Sequence, residues 1–157
     1  MSRTRLVRLA AAVVVTAVVV AGVLIWRAHR DRDPYAAYCR LVVDHRGLIS
    51  AATEQGSTTG LIAALPSFRA LEAGAPADIA DDWAVVVAAI SNLQDALAAA
   101  GVDPATYDRA HPPAGVTAEQ RGAIDAAATR LDSGETRAAV SAVDQEARDV
   151  CHSPLML

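Results

Sequence analysis

Lysine is missing from this chain, and all 14 of its basic residues are arginine. Aromatic residues are scarce at 4%: two Trp, three Tyr and one Phe. A core filled with rings is therefore excluded. Cysteine occurs only twice, too few for a disulfide-dense scaffold or a Cys-rich metal ribbon. No GxSxG, phosphate-binding loop or dinucleotide fingerprint is present, and no HExxH or HxxxH pair. Alternating strand patterns and internal repeats are also missing.

What is present is alanine and valine, the bulk of a 53% hydrophobic composition. Small side chains of this kind suit closely packed helices. High alanine with arginine-only basicity points to a GC-rich coding sequence more than to a physical need. The net charge of -4 hides an asymmetry. Residues 1–33 carry six Arg against two Asp, a surplus of four positive charges. The remainder carries eight Arg against 16 acids, a surplus of eight negative charges. An acidic domain repels phosphate backbones, so no nucleic-acid partner is expected. The basic flanks suit lipid headgroups.

Between those flanks, "LAAAVVVTAVVVAGVLIW" runs from Leu9 to Trp26 without a charge. Eighteen helical residues span roughly 27 Å, close to the hydrocarbon thickness of a bilayer. The expectation is a transmembrane signal anchor over residues 9–26, behind a basic tail at 1–8. Arg8, Trp26 and Arg27 would sit at the membrane interfaces. "LIWRAHRDRDP" offers no clean cleavage site, so the segment is read as uncleaved. Cys39 follows Ala37-Tyr38, which does not fit a lipoprotein leader. Ala17/Ala21 and Val18/Gly22 are small-residue pairs four apart, but an alanine-rich span contains such pairs by chance, so a homodimer has no support of its own.

Orientation rests on a near tie. Arg3, Arg5 and Arg8 precede the span, while Arg27, Arg30, Arg32 and Arg40 follow it. Three arginines would have to cross the membrane if the N-terminus lay outside. That consideration, with the cysteine pattern, places the C-terminal domain outside the cytoplasm. The inverted topology, a membrane-tethered cytoplasmic regulator, stays as an alternative.

After a linker at 27–33, helical spacing dominates residues 34–157. Tyr35, Tyr38, Val42, His45 and Ile49 fall at steps of three and four, predicting a helix over about 34–54. "GSTTG" breaks that pattern. Leu61, Leu65, Phe68 and Leu71 continue it, with Pro66 expected to kink or split the helix. The clearest helix follows, with Ile79, Trp83, Val87 and Ile90 as core markers and Gly101 just past its end. Asp103-Pro104 predicts one helical turn. "TAEQ" at 117–120 matches a capping box and opens another helix. "DSGE" interrupts before a last helix that ends near "CHSP". The fold class expected is all-α: an N-terminal transmembrane helix, then a small antiparallel helical bundle closed by one disulfide.

Cys39 stands early in the first of these helices and Cys151 late in the last. An antiparallel bundle can bring those ends to one pole, and two cysteines in an exported domain usually pair. A metal site would need more ligands nearby, and a catalytic thiolate would need a base on the same face. His45 is six residues from Cys39 and is not on that face. His152 adjoins Cys151 but points elsewhere on a helix. His29 falls near headgroups, and His111 precedes two prolines in a loop. Asp78, Asp81 and Asp82 could hold a hard cation by spacing, yet compensation of the helix dipole accounts for them. No catalytic residue, metal or cofactor is assigned.

The stretches "YCRL", "LPSFRALEAGAPADIADDW", "AGVDP" and "ARDVCHSPL" resemble a loose group of small actinobacterial envelope proteins. These combine an N-terminal anchor or leader, a helical domain and a cysteine near each end. The resemblance spans most of residues 35–155 and implies architecture, with no activity to carry over. The function expected is a non-enzymatic interaction or structural role at the cell envelope, through an unidentified protein partner and the bilayer. A ligand or metal site spread over several helices is the alternative that spacing would miss.

Overall fold

The computed structural model describes residues 18–27 and 35–155. The chain divides into two compact units, Met1–Pro34 and Tyr35–Leu157. In the first, residues 18–27 are helical and exposed, Trp26 and Arg27 among them. Among the described residues, no helix is long and apolar enough to cross a membrane. Half of the expected span, residues 9–17, lies outside the described residues, as do Arg8, His29 and most of the linker.

The second unit holds five α-helices: α1 Ala36–Thr53, α2 Ser57–Ala73, α3 Ala80–Ala99, α4 Ala118–Leu131 and α5 Gly134–Asp149. The described residues contain no strand. The helix α3 is the hub: α2, α4 and α5 all pack on it, while α1 packs on α2. This position explains the burial of Ala89, which lies off the main stripe of Trp83, Val87 and Ile90. A helix covered from several sides buries more than one face.

Local chemistry sets the helix ends. At the end of α3, Gly101 takes φ 65°. Its N–H donates to the Ala98 carbonyl at 2.9 Å, and the Val102 N–H donates to Leu97 at 3.1 Å. This is a Schellman motif, and only glycine enters the left-handed region without cost. Val102 and Leu97 then join the same apolar cluster. At the start of α4, the Gln120 N–H donates to Thr117 Oγ1 at 3.1 Å, and the Thr117 N–H donates to Gln120 Oε1 at 2.9 Å. The predicted capping box is therefore formed. Gln120 also donates to the Ala99 carbonyl at 3.0 Å, tying α4 to the end of α3. Ser133 caps α5 by accepting the Thr136 N–H at 3.1 Å. "DSGE" is thus a two-residue break with a cap in it. Asp103 holds the predicted single turn by accepting the Ala105 N–H at 2.8 Å.

Two expectations need correction. Pro66 does not split its helix: α2 is continuous from Ser57 to Ala73. Pro66 is exposed, while Leu65, Phe68 and Leu71 on either side of it are buried. Tertiary burial holds the helix across the missing N–H. The segment "GSTTG" is not a loop either. Only Glu54–Gly56 separates the helices, and Ser57–Gly60 is the first turn of α2. Gly60 permits this. A Cβ there would stand 2.5 Å from the Ala52 carbonyl oxygen and 2.7 Å from Thr53 Cα.

The core falls into two clusters. The larger joins Tyr38, Val42 and Ile49 of α1 to Leu65, Phe68, Trp83, Ile90 and Val143. The smaller joins Leu93 and Leu97 to Ile124 and Ala127 of α4. Trp83 is fully buried, and its indole N–H donates to the Tyr38 hydroxyl at 3.0 Å. Phe68 lies against it at 6.1 Å between ring centroids, tilted by 38°.

Cys39 and Cys151 are bonded, with Cα atoms 5.0 Å apart across a sequence separation of 112. Cys39 lies in the first turn of α1 and Cys151 just beyond α5. The chain after the bond is also fixed. His152 takes φ 51°, the Ser153 N–H returns to the Ala147 carbonyl at 3.1 Å, and Leu155 is buried in the larger cluster. Arg46 of α1 donates to Ser153 Oγ at 2.9 Å.

Two outcomes follow for stability, both readable by urea denaturation of the purified chain. Gly60→Ala should cost about 2–3 kcal/mol, because backbone rather than a flexible side chain occupies the space; an unchanged midpoint would show that the helices separate freely there. Replacing both cysteines by serine should cost about 2–5 kcal/mol. A loss below 1 kcal/mol would mean that packing alone holds α1 to the rest.

Candidate functional site

The helices α2 and α5 both rest on α3, but neither packs substantially on the other. The connection between α4 and α5 is only Asp132–Ser133, yet each of the two contacts α3 more than its neighbour. The space left over is a groove of about 670 Å³. That volume is within the range of small-molecule sites, which are concave and mostly apolar.

The floor is α3, through Trp83, Val86, Ile90 and Leu93. Leu61 and Phe68 form the α2 wall, and Val140 and Val143 the α5 wall. Ala128 and Leu131 of α4 and Leu155 of the C-terminal segment also line the groove. The floor residues retain almost no accessible surface, whereas Val140 at the mouth is 37% exposed.

Several polar groups of the lining are paired. Arg137 donates to the Asp132 carboxylate at 2.8 Å and to the Asp132 carbonyl at 2.7 Å. Arg148 pairs with Asp144, whose other carboxylate oxygen accepts the Leu155 N–H at 3.3 Å. The buried Thr136 hydroxyl donates to the Arg130 carbonyl at 2.9 Å. The lining holds two carboxylates, Asp132 and Asp144, and one guanidinium, Arg137; Arg148, which pairs with Asp144, stands outside the lining. The groove lining holds no His or Cys.

The core markers Ile79, Trp83, Val87 and Ile90 are all buried, and two of them, Trp83 and Ile90, also line the groove. The disulfide cysteines stand away from the groove lining. The acidic trio is not gathered around a common point: Asp78 accepts from the Tyr35 hydroxyl at 2.9 Å, and Asp81 and Asp82 occupy the first turn of α3. Among the described residues no three His, Cys, Asp or Glu side chains come together. His111 pairs with Asp108 at 2.8 Å on the surface. Its hydrogen bond, with the Ala110 N–H, holds the Asp108 carboxyl below its ordinary pKa. His45 is half-buried, and its Nδ1 is enclosed without a partner.

Sequence reasoning missed the groove and missed Leu155. The α5 wall could have been suspected from Val140 and Val143, three apart and on the same side as Thr136 and Ala139. Leu155 is a single apolar residue beyond "CHSP" and carries no periodic signal.

One polar arrangement lies near the core rather than in the groove. Burial raises the pKa of the Tyr38 hydroxyl, the Trp83 hydrogen bond opposes this, and the charges of Glu146 and Asp78 add to it. Glu146 is raised as well, first by burial and then by the charges of Asp78 and Asp149. One of its carboxylate oxygens is enclosed without a partner. A carboxyl whose folded pKa lies above its unfolded value binds more protons folded than unfolded. Stability therefore falls as pH rises through that window, which begins near the ordinary value of about 4.3. Glu146→Gln should raise the urea midpoint at pH 7 and raise it less at pH 4; an increment that does not vary with pH would contradict the assignment.

Comparison of the chain with protein-family models, with curated proteins and with solved structures finds no match.

Proposed function

We propose that this chain is a membrane-tethered binding protein, held by residues 9–26, whose helical domain stands outside the cytoplasm and receives an apolar partner in the α2–α3–α5 groove. The groove is the observation that carries the binding role. Its lining is mostly apolar, and the charges of Asp132 and Asp144 are paired with Arg137 and Arg148. A catalytic site needs groups poised to take or give protons at a reacting atom. The groove lining supplies threonine, serine and paired ions in their place. The role is accordingly one of binding rather than turnover.

The external location draws on two independent supports. The first is the uncharged run from Leu9 to Trp26 between arginine-rich flanks. The second is the Cys39–Cys151 bond, since disulfides persist in oxidising compartments. The envelope setting agrees with the resemblance of "YCRL" and "ARDVCHSPL" to actinobacterial envelope proteins.

Thiol labelling of intact cells with an impermeant, mass-adding maleimide tests the location. Both cysteines should react only after reductant is added, without permeabilisation. Labelling that requires permeabilised cells but no reductant would invert the topology and remove the external role. Substrate turnover by the purified chain would overturn the binding assignment.

A further inference from the structure

We infer that Cys151 is a site of reversible thiolation by a low-molecular-weight thiol, with Cys39 as the leaving and resolving sulfur. The inference rests on the Cys39–Cys151 bond and the helices that carry it. It is independent of the groove and of the topology of the chain.

The bond lies at the edge of the core. Both cysteines are half-buried, and Cys151 packs against the outside of the larger apolar cluster. Their neighbours Tyr38 and Ala147 are closed off. A small thiol can thus meet the bond without entering the core.

The two sulfurs stand at opposite kinds of helix end. Cys39 lies in the first turn of α1, and its N–H donates to the Tyr35 carbonyl at 2.8 Å. The N–H groups of Ala36, Ala37 and Tyr38 precede it, at the positive end of the helix dipole. A helical Cα–Cβ bond tilts toward the N-terminus, which carries the Cys39 sulfur toward that end. Cys151 follows the last residue of α5, and its N–H donates to the Ala147 carbonyl at 3.2 Å. It stands at the negative end of a dipole.

The charged groups nearby do not reverse this difference. Glu146 and Asp149 are on α5, the helix that leads to Cys151, and Asp78 acts on Glu146 from the start of α3. Glu146 and Asp78 also act on Tyr38, beside Cys39, so these acids burden both sulfurs. Arg40 beside Cys39 and His152 beside Cys151 are exposed, where water and salt screen them. The helix ends decide between the sulfurs. Negative charge is favoured at Cys39 and disfavoured at Cys151.

Thiol–disulfide exchange proceeds by attack of a thiolate on one sulfur and departure of the other, and the sulfur that better holds negative charge leaves faster. An incoming thiolate therefore attacks Cys151 Sγ. A bond forms between the two sulfurs as the Cys39–Cys151 bond breaks. The electron pair of the broken bond goes to Cys39 Sγ, which leaves as a thiolate. One disulfide and one thiolate become another disulfide and another thiolate. In the reverse step Cys39 attacks Cys151 Sγ and expels the small thiolate. The Arg46–Ser153 hydrogen bond and the buried Leu155 keep the chain end beside α1 for that return.

The test pulses the purified full chain with 2-mercaptoethanol in native buffer, quenches with acid, digests with pepsin and locates the adduct by mass spectrometry. The adduct should fall on Cys151 in excess over Cys39 by about threefold or more, since each helix end contributes a few tenths of a kcal/mol or more. The circular dichroism should be unchanged. In urea the excess should vanish with the helices. As a second readout, iodoacetamide should alkylate Cys39 in Cys151→Ser with a half-maximal rate at lower pH than Cys151 in Cys39→Ser. An adduct that forms only in urea would make the bond a structural tie and overturn the site. Equal adducts, or an excess on Cys39, would overturn the assignment of roles. An excess that persists in urea would remove the helix ends as its cause.

Discussion

The bond between Cys39 and Cys151 closes an otherwise open arrangement. The helix α1 packs on α2, while α5 packs on α3. The two ends of the domain are thus two helices apart in the packing order. The bond joins them, and two contacts between distant residues and one local turn gather around it. Tyr38, one residue before Cys39, accepts the Trp83 N–H. Arg46, two turns further along α1, donates to Ser153. Ala147, one turn before Cys151, is fully buried and accepts from Ser153. With alanine and valine supplying so much of the core, each buried side chain contributes little area. A covalent tie that restricts the unfolded chain therefore matters more here than in a ring-packed domain.

The same closure shapes the groove. Holding the first and last helices together fixes the position of the C-terminal segment, whose Leu155 lines the groove. Holding α5 against α3, with α2 on another face of α3, leaves a gap that neither α2 nor α5 can fill. The small Ser141 side chain on α5 cannot bridge it. The groove is thus a consequence of packing small-residue helices around one central helix. Its rim is quiet electrostatically because its charges are neighbours along the chain: Asp132 with Arg137, and Asp144 with Arg148.

Several features were legible in the residues alone because their causes are local. The Thr117–Gln120 capping box needs only four residues in order. Gly101 ends α3 because a left-handed residue is required at that point. The stripe from Ile79 through Trp83 and Val87 to Ile90 follows the period of a helix. The pairing of Cys39 with Cys151 followed from having two cysteines near the ends of one helical domain. Where local reasoning failed, tertiary packing had overruled it. Pro66 should break a helix, but burial of Leu65 and Phe68 on its two sides carries α2 through. Gly60 looked like a loop residue, but it is a helix residue that lets one backbone approach another.

The sequence by itself determined the all-helical character of the domain, most of its helix ends, its acidic charge and its single cross-link. Each of these depends on neighbours within a few residues, or on a count. Only the tertiary structure decided that α3 is the hub, that α2 and α5 stand apart above it, and that Leu155 belongs to the core. Those facts depend on which helix faces which. A periodic pattern states that a helix has an apolar face, but not what covers it. The groove lies where α2 and α5 do not meet across α3, and no spacing along the chain records such a gap.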